Sequence, residues 1–324
     1  MRRLIVVGAG FFGSLVTRRL REIGLAPLVA TRRGADLRLD AESEASLALT
    51  LREGDVLVDT AGPFAARTTR LVRAAIERGC DVIDLADSLP WSEAIVALDG
   101  RASEAGVALY PACSAVAAVT GACVRASGVT APRSVDQFLA PASAETASPA
   151  TVRAFVTSLG RTIRTYRDGH LVDVRGYAES AAFPVGARRG SLVENAGAVL
   201  LPLSWPSLRR AEFWVDPNAP LGRTALSLAA RVPAVAALAR AVAPYLRAGP
   251  FGRRDGVFAV SVDERRAFVL ASARGSYRIA TEPAVMVAEE IVHGRRDRGV
   301  VRPHAQVDPD LLFARLRALG IGIS

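Results

Sequence analysis

The 324-residue chain contains no lysine, so all 41 of its cationic side chains are arginines. A Schiff base on the protein and a lysine acid or base are therefore excluded from its chemistry. Such arginine usage fits the codon bias of a GC-rich genome, and it also fits recognition of a phosphorylated cofactor or an acidic substrate. The net charge is +9, but no basic run is interleaved with aromatic residues. We therefore expect no nucleic acid as a partner.

Cysteine and histidine are scarce, with three residues of each. The spacings of Cys80, Cys113 and Cys123 fit no zinc motif, and the histidines lie far apart, so we expect no metal site. An odd cysteine count without a secretory signal pattern is typical of a cytoplasmic protein. The chain also lacks a run of about 18 uncharged apolar residues, so we expect no membrane-spanning helix.

The first thirty residues have the pattern of a βαβ unit. Residues 3–7 are an apolar run ending at a glycine, as buried parallel strands do, and residues 27–31 form a second such run. Between them, residues 11–23 carry apolar side chains at helical spacing, with arginines on the other face. A GxGxxG motif joins the first strand to the helix and consists of Gly8, Ala9, Gly10, Phe11, Phe12 and Gly13.

This context makes the glycine motif a specific signal for dinucleotide binding. Gly8 permits a tight turn, Gly10 lets the backbone approach a pyrophosphate, and Gly13 lets the helix pack on the strand. The helix N-terminus then offers unpaired amides and partial positive charge to the phosphates. We therefore predict a nicotinamide dinucleotide as the cofactor.

The end of the second strand indicates which dinucleotide is bound. Thr31, Arg32 and Arg33 occupy the place where NAD enzymes carry an acid that binds the ribose 2′-hydroxyl. A hydroxyl and two guanidiniums suit a 2′-phosphate, so we predict NADP; NAD is the alternative if the arginines only face solvent. Asp40 lies at the end of a short third strand predicted at 36–40. Its carboxylate either accepts a hydrogen bond from the adenine amino group or caps the next helix.

Strands and helices continue to alternate up to residue 113, which predicts a doubly wound parallel sheet. Strands are predicted at 55–62, 81–87 and 107–113, and helices at 41–52, 67–79 and 90–105. The strand at 55–62 ends in a Gly-Pro turn, at the sheet edge where ligands collect in such folds. We expect this turn to border the nicotinamide half of the cofactor, through Ala61, Gly62, Pro63 and Phe64.

The pattern becomes more irregular after residue 130. We predict an α/β protein with a Rossmann domain at 1–125, an α+β substrate or dimerisation domain with a mixed, partly antiparallel sheet at 126–280, and C-terminal helices at 281–324 that return to the first domain. Hairpins are predicted within residues 162–177 and 255–277. The alanine- and leucine-rich segment 224–246 favours a buried or pocket-lining helix pair over a membrane-surface helix.

Three stretches together resemble the saccharopine dehydrogenase-like family, especially its shorter bacterial members. They are VVGAGFFGSLVTRRL, DVLVDTAGPFAARTTRLVRAAIERGCDVIDLADS and GSYRIATEPAVMVAEEIVHGRRDRGVVRP. The resemblance implies a Rossmann domain, a second α/β domain and NAD(P)-linked redox chemistry, often at a C–N bond. Some relatives are trans-acting enoyl reductases that act on lipid-like chains. Other members use a catalytic lysine, which this chain lacks, so saccharopine itself is not the expected substrate.

Catalytic candidates are fewer than cofactor-binding ones. Asp87 follows a strand and is expected to position a substrate or act as an acid, unless it caps the next helix; Cys113 and Tyr277 are further candidate acids. We predict an NADP-dependent oxidoreductase that reduces an imine or an activated C=C of a small molecule with an apolar part. Two alternatives are a non-catalytic NAD(P)-binding sensor or structural protein and an enoyl reductase. A homodimer formed through the second sheet is a further hypothesis.

Overall fold

The computed structural model describes residues 2–146, 152, 156–184, 186–218, 222–242 and 252–324. The chain divides into two compact units. The first comprises Met1–Gly121 and Ala280–Asp308, and the second comprises Ala122–Ile279 and Pro309–Ser324. The predicted helix near 148–160 and the end of the apolar segment 224–246 lie partly outside the described residues.

The first unit contains a seven-stranded sheet in which every pairing is parallel. Its strands are β1 (Leu4–Val7), β2 (Leu28–Thr31), β3 (Leu37–Arg38), β4 (Val56–Asp59), β5 (Asp81–Asp84), β6 (Ala108–Tyr110) and β15 (Gly299–Val300). The order β15-β6-β5-β4-β1-β2-β3 contains the Rossmann order 3-2-1-4-5-6. Every residue of β1 and β4 is buried, as expected for central strands covered on both faces.

Helices of the first unit follow the predicted alternation. They are α1 (Phe11–Glu22), α2 (Glu44–Thr50), α3 (Arg70–Glu77), α4 (Leu89–Val96), α5 (Asp99–Glu104) and, after a π-helical turn at Ala115–Val119, α6 (Thr120–Ala126), which continues into the second unit. The segment predicted as helical at 90–105 is divided into two helices, because the chain turns at Ala97 and Leu98. The Asp99 carboxylate then accepts from the backbone N–H of Val300, 2.7 Å away, which ties α5 to β15.

The second unit is built on a mixed nine-stranded sheet, as predicted. Its strands are β7 (Ser134–Ala140), β8 (Thr162–Arg167), β9 (His170–Arg175), β10 (Ser180–Ala182), β11 (Arg189–Leu192), β12 (Arg210–Val215), β13 (Gly256–Val262), β14 (Arg266–Ser272) and β16 (Gly322–Ile323). The order is β10-β11-β12-β7-β13-β14-β16, with β8 on β12 and β9 on β8. Only the β7–β12 pair is parallel. The fold class is therefore α/β with a Rossmann domain and a mixed-sheet α+β domain.

Both predicted hairpins are present in the second unit. The first joins β8 to β9 through Asp168 and Gly169, whose φ values of +51° and +86° fit a two-residue turn. The second joins β13 to β14 at Asp263 and Glu264, which also have positive φ. The described helices of this unit include α7 (Ser143–Thr146), α8 (Gly197–Ser204), α9 (Gly222–Arg231) and α10 (Pro233–Val242).

The apolar segment 224–246 forms a helix pair as predicted, but most of its described side chains are exposed rather than buried. Of the α10 residues, only Ala236 is buried, and in the described part of α9 only Ala230 is. The buried apolar contact is small, because Ala230 and Ala236 are the side chains that pack inward, and a Cβ at Gly160 would lie 3.0 Å from Ala236. The apolar composition therefore belongs to a surface.

The C-terminal segment 281–324, predicted to return to the first domain, is divided between the units. Helix α11 (Arg278–Val292) begins in the second unit and continues in the first, where α12 (Pro303–Gln306) also lies. Helix α13 (Pro309–Ala318) belongs to the second unit because β16 pairs with β14 and Phe313 stacks on Phe268. None of the helices in the described part of the chain has the length and hydrophobicity that crossing a bilayer requires.

Candidate functional site

The glycine motif lies between β1 and α1 and is tightly packed at two of its three glycines. Gly8 has a φ of +101°, a conformation that other residues rarely adopt. A Cβ on Gly13 would lie 2.1 Å from the carbonyl oxygen of Gly8 and 2.6 Å from Oγ1 of Thr60. Helix α1 therefore approaches the preceding loop so closely that only glycine fits at position 13.

Gly10 differs from the other two glycines because a Cβ there would meet nothing within 4 Å. The residue is exposed and stands at the N-cap of α1, where no side chain caps the first turn and no acid lies nearby in the helix. The space beside Gly10 at the start of this twelve-residue helix is open, which fits the approach of a dinucleotide pyrophosphate to the helix N-terminus. Phe11 and Phe12 begin the helix with half-buried rings packed edge to face at 5.2 Å.

Thr60, which the sequence analysis did not single out, supports this loop from the end of β4. Its Oγ1 donates to the carbonyl oxygens of Val7, at 2.9 Å, and Gly8, at 3.3 Å. A small hydroxyl at the end of the neighbouring strand thus holds the chain where β1 passes into the glycine turn. The only signal in the sequence is its position directly after the β4 run, and many polar residues share such a position.

The residues after β2 present unpaired positive charge. Arg32 and Arg33 are exposed, and neither forms an ion pair or a side-chain hydrogen bond with the described residues. Thr31 is half-buried at the end of the strand. Asp36, the first acid that follows, accepts from the backbone N–H of Val29 at 2.8 Å. The two guanidiniums are therefore available for an anionic ligand.

Asp40 does not cap helix α2, so one of its two predicted roles is wrong. Its Oδ1 accepts from the backbone N–H of Glu42 at 3.0 Å, which closes a turn before the helix. Ser43 is the N-cap instead, and its side chain accepts from the backbone N–H of Ser46. Ser43 caps the helix because its side chain is shorter and lies closer to the first turn. The predicted contact between Asp40 and adenine stays a prediction.

The turn after β4 is held by a buried ion pair that the sequence analysis missed. Asp59 is completely buried, and Arg67 Nη1 lies 2.9 Å from each of its carboxylate oxygens. The same Nη1 donates to the carbonyl oxygen of Ala61, and the backbone N–H of Ala61 donates to Asp59. The ends of the turn are therefore tied together, while Gly62 and Pro63 between them remain exposed.

Two aromatic rings complete the support of this turn. The guanidinium of Arg67 lies 5.5 Å from the ring centroid of Phe64 and 5.2 Å from that of Trp91. Phe64 and Trp91 are themselves buried and pack at 5.1 Å. A cation between two aromatic faces is stabilised by their quadrupoles, which adds to the ion pair with Asp59. The AGPF turn is thus a rigid edge rather than a loose loop.

Asp84, at the end of β5, is a buried structural carboxylate. It accepts from the backbone N–H groups of Ala86 and Ala112, at 2.9 and 2.8 Å, and from Nε1 of Trp91 at 3.1 Å. Burial raises the pKa of Asp84 to about 6, and these three hydrogen bonds oppose the rise. Its carboxylate therefore joins the ends of β5 and β6 to the tryptophan that supports the AGPF turn.

Asp87 is the accessible carboxyl of this strand end. Its side chain is exposed, yet surrounding protein atoms are dense enough that desolvation raises the pKa of its carboxyl. Ser88 is the N-cap of α4 and accepts from the backbone N–H of Trp91, so Asp87 does not cap the helix. An accessible acid with a raised pKa has the properties of a proton donor.

Cys113 is completely buried, and burial raises the pKa of its thiol far above the ordinary value. Its backbone N–H donates to the carbonyl oxygen of Asp84 at 2.7 Å, so the residue packs inside the β6 end. The structure therefore does not support the prediction of Cys113 as a catalytic acid, because a neutral thiol without access to solvent cannot exchange protons. Tyr277 lies half-buried in the second unit, just before α11, and its catalytic role stays a prediction.

Metal-binding side chains do not cluster in the described part of the chain, where no group of three or more His, Cys, Asp or Glu residues is arranged to hold an ion. The candidate groups that follow β1, β2, β4 and β5 are backbone amides, hydroxyls, guanidiniums and one accessible carboxyl. Such a set suits an organic cofactor with phosphate groups.

Comparison with protein families agrees with this geometry. Residues 4–110 match the family described as the saccharopine dehydrogenase NADP binding domain. The match spans about a third of the chain. The match covers the strands and helices from β1 to β6, including the glycine loop, the AGPF turn and Asp87. The resemblance to saccharopine dehydrogenase-like proteins is therefore confirmed, and the matched family supports a nicotinamide dinucleotide as the cofactor.

Solved structures extend the likeness in fold to the whole chain. The apo saccharopine dehydrogenase (L-Glu forming) from Saccharomyces cerevisiae is 12% identical, with a TM-score of 0.60, and the match covers 100% of this chain and 99% of that one. An amine dehydrogenase from Mycobacterium smegmatis is 10% identical, with a TM-score of 0.52 and coverage of 94% and 95%. No curated protein sequence matches the chain. These structures show the shared fold, and the match to the NADP-binding domain family supports an oxidoreductase.

Proposed function

We propose that the protein is an NADP-dependent oxidoreductase that transfers hydride between the nicotinamide and an imine or activated C=C of a small molecule. The observation that carries this proposal is the open Gly10 in an otherwise closed glycine loop, within a domain of the NADP-binding family. Gly8 and Gly13 are needed for packing, whereas the space over Gly10 serves no packing purpose. A bound pyrophosphate gives that space a function.

The cofactor preference rests on charge at the end of β2. A 2′-phosphate needs donors, and Arg32 and Arg33 supply them without having to break an ion pair within the described residues. When bound, NADPH supplies the hydride. The chain's own residues hold its phosphates at the start of α1 and after β2, and the rigid AGPF turn borders the nicotinamide half.

Asp87 is the residue that we propose to handle the proton. Hydride addition to an imine or activated C=C leaves a site that must be protonated, and a carboxyl with a raised pKa holds its proton at higher pH. The lack of lysine removes the other common acid of such sites. Both fold relatives are named as dehydrogenases, and one is named for amines, which supports chemistry at a C–N bond.

Replacing Arg32 and Arg33 with serine tests the cofactor preference. We expect the affinity for NADPH to fall about tenfold or more, because each charge-assisted hydrogen bond contributes about 1.5–3 kcal/mol. The affinity for NADH should be unchanged, because its ribose carries no phosphate. Isothermal titration calorimetry measures both values. Arg38→Ser, an exposed arginine of β3, is the matched control and should bind both cofactors as the wild type does. Equal losses for NADPH and NADH would refute the 2′-phosphate assignment.

Asp87→Asn tests the proton donor. We expect kcat for the reduction to fall about a hundredfold, the lower range for loss of a general acid, while NADPH affinity stays the same. The raised pKa predicts that wild-type activity falls as pH rises through a value above that of an ordinary aspartate. This falling limb should disappear in Asp87→Asn. Because the substrate is unknown, a panel of cyclic imines and enones followed by NADPH absorbance is the assay. An unchanged pH profile in the variant would exclude Asp87 as the acid.

A further inference from the structure

Large exposed apolar side chains are concentrated in helices α9 and α10. Seven such side chains occur in the described residues, and five lie in this helix pair. They are Leu228, Val232, Val235, Leu238 and Val242, with exposed fractions between 42% and 64%. Such a cluster marks an interaction surface, since single exposed leucines are common but contiguous ones are not.

Three of these residues lie on one face of α10. Val235, Leu238 and Val242 follow one another at steps of three and four residues, while Leu228 is on α9 and Val232 is at the bend between the two helices. The remaining exposed positions of α10 are proline and alanine. The face is anchored from behind, where Arg175 donates to the carbonyl oxygen of Ala230 and Arg240 to that of Leu159.

The charge of the surrounding sequence indicates what covers the face. Residues 217–254 contain six arginines and no aspartate or glutamate. Arg231 is exposed between the two helices, next to the apolar stripe. A second copy of the same face would bring these like charges together, whereas an anionic lipid surface supplies the opposite charge and takes up the apolar side chains.

We propose that α9 and α10 form a docking surface for an anionic membrane, on which the helix pair lies in the plane of the headgroups. The leucines and valines enter the boundary between headgroups and acyl chains, and the exposed Arg231 contacts lipid phosphates. The surface is peripheral, and the inference is independent of the proposed redox reaction. It implies that the protein meets its substrate at or near a lipid interface.

Vesicle flotation of the full chain tests this proposal. Wild-type protein should bind vesicles of phosphatidylcholine and phosphatidylglycerol about tenfold more strongly than vesicles of phosphatidylcholine alone, and added salt should weaken the binding. Leu228→Ser with Leu238→Ser should reduce binding about thirtyfold, because two apolar side chains no longer enter the lipid. Leu49→Ser, on α2 in the other unit and 89% exposed, is the matched control and should bind as the wild type does.

Other outcomes would overturn the membrane assignment. Equal binding of both vesicle types, or none, would contradict it. A dimer in analytical ultracentrifugation that becomes a monomer in the Leu228→Ser, Leu238→Ser variant, without vesicle binding by the wild type, would identify a second copy as the occupant. Circular dichroism checks that the variant is folded, and Arg231→Glu provides a second variant in which binding to anionic vesicles alone should fall.

Discussion

Gly10→Ala is expected to lower NADPH affinity about a hundredfold while leaving the unliganded protein as stable as the wild type. The new methyl group meets no protein atom within 4 Å, so the fold has no reason to change. It occupies the space through which the backbone approaches the pyrophosphate, and a loss of about 2.7 kcal/mol is the expected penalty for such a clash. Calorimetric titration with NADPH and a thermal melt of the apo protein give the two readings.

Gly13→Ala is the matched variant and should show the opposite result. Its Cβ would lie 2.1 Å from a backbone oxygen, so α1 must shift and the apo protein should lose about 3 kcal/mol of unfolding free energy. Urea denaturation measures this loss. If Gly10→Ala binds NADPH normally, or if it melts at a lower temperature like Gly13→Ala, the open space at Gly10 is not the pyrophosphate site.

Asp59→Ala is expected to destabilise the protein by about 3 kcal/mol, because the largely buried Arg67 guanidinium loses its nearest carboxylate and keeps only Glu42, 3.7 Å from its Nε. The side chain of Arg67 is 9% exposed and that of Asp59 is 0% exposed. The Asp59 carboxylate also accepts the backbone N–H of Ala61, so the AGPF turn loses a hydrogen bond as well. Urea denaturation followed by tryptophan fluorescence measures the loss, since Trp91 lies against Arg67.

Two further variants separate the buried charge from the general loss of a contact. Asp59→Ala with Arg67→Met should be more stable than Asp59→Ala alone, because no largely buried cation then lacks its nearest carboxylate. Glu77→Ala removes an exposed ion pair with Arg101 and should change stability by less than about 1 kcal/mol. A double variant no better than Asp59→Ala would show that the ion pair is not what makes Asp59 important.

The Rossmann domain could be predicted from the sequence because its signals are local. Each buried strand is a short apolar run, each helix has a 3.6-residue apolar period, and the glycine motif stands at the junction that its role requires. The partners Asp59 and Arg67 could not be predicted in the same way. Eight residues separate them, and only the turn that both flank brings their side chains together.

The exposure of the apolar side chains of α9 and α10 could not be predicted from the composition of the segment. Alanine and leucine indicate an apolar face without indicating what covers it, so a surface helix and a core helix look alike in the sequence. The C-terminal division has a similar cause, since the long-range contacts that assign the final segment to the second unit, the pairing of the two-residue β16 with β14 and the stacking of Phe313 on Phe268, have no local signal in the sequence. Cys113 likewise reads as a candidate acid until its complete burial is known.

Parallel calorimetric titrations of the wild-type protein with NADPH and with NADH test the central proposal most directly. We predict that both bind, because the glycine loop and the start of α1 serve the pyrophosphate that they share. NADPH should bind about tenfold or more tightly, because only its 2′-phosphate contacts Arg32 and Arg33. Binding of neither cofactor, or tighter binding of NADH, would contradict the proposal.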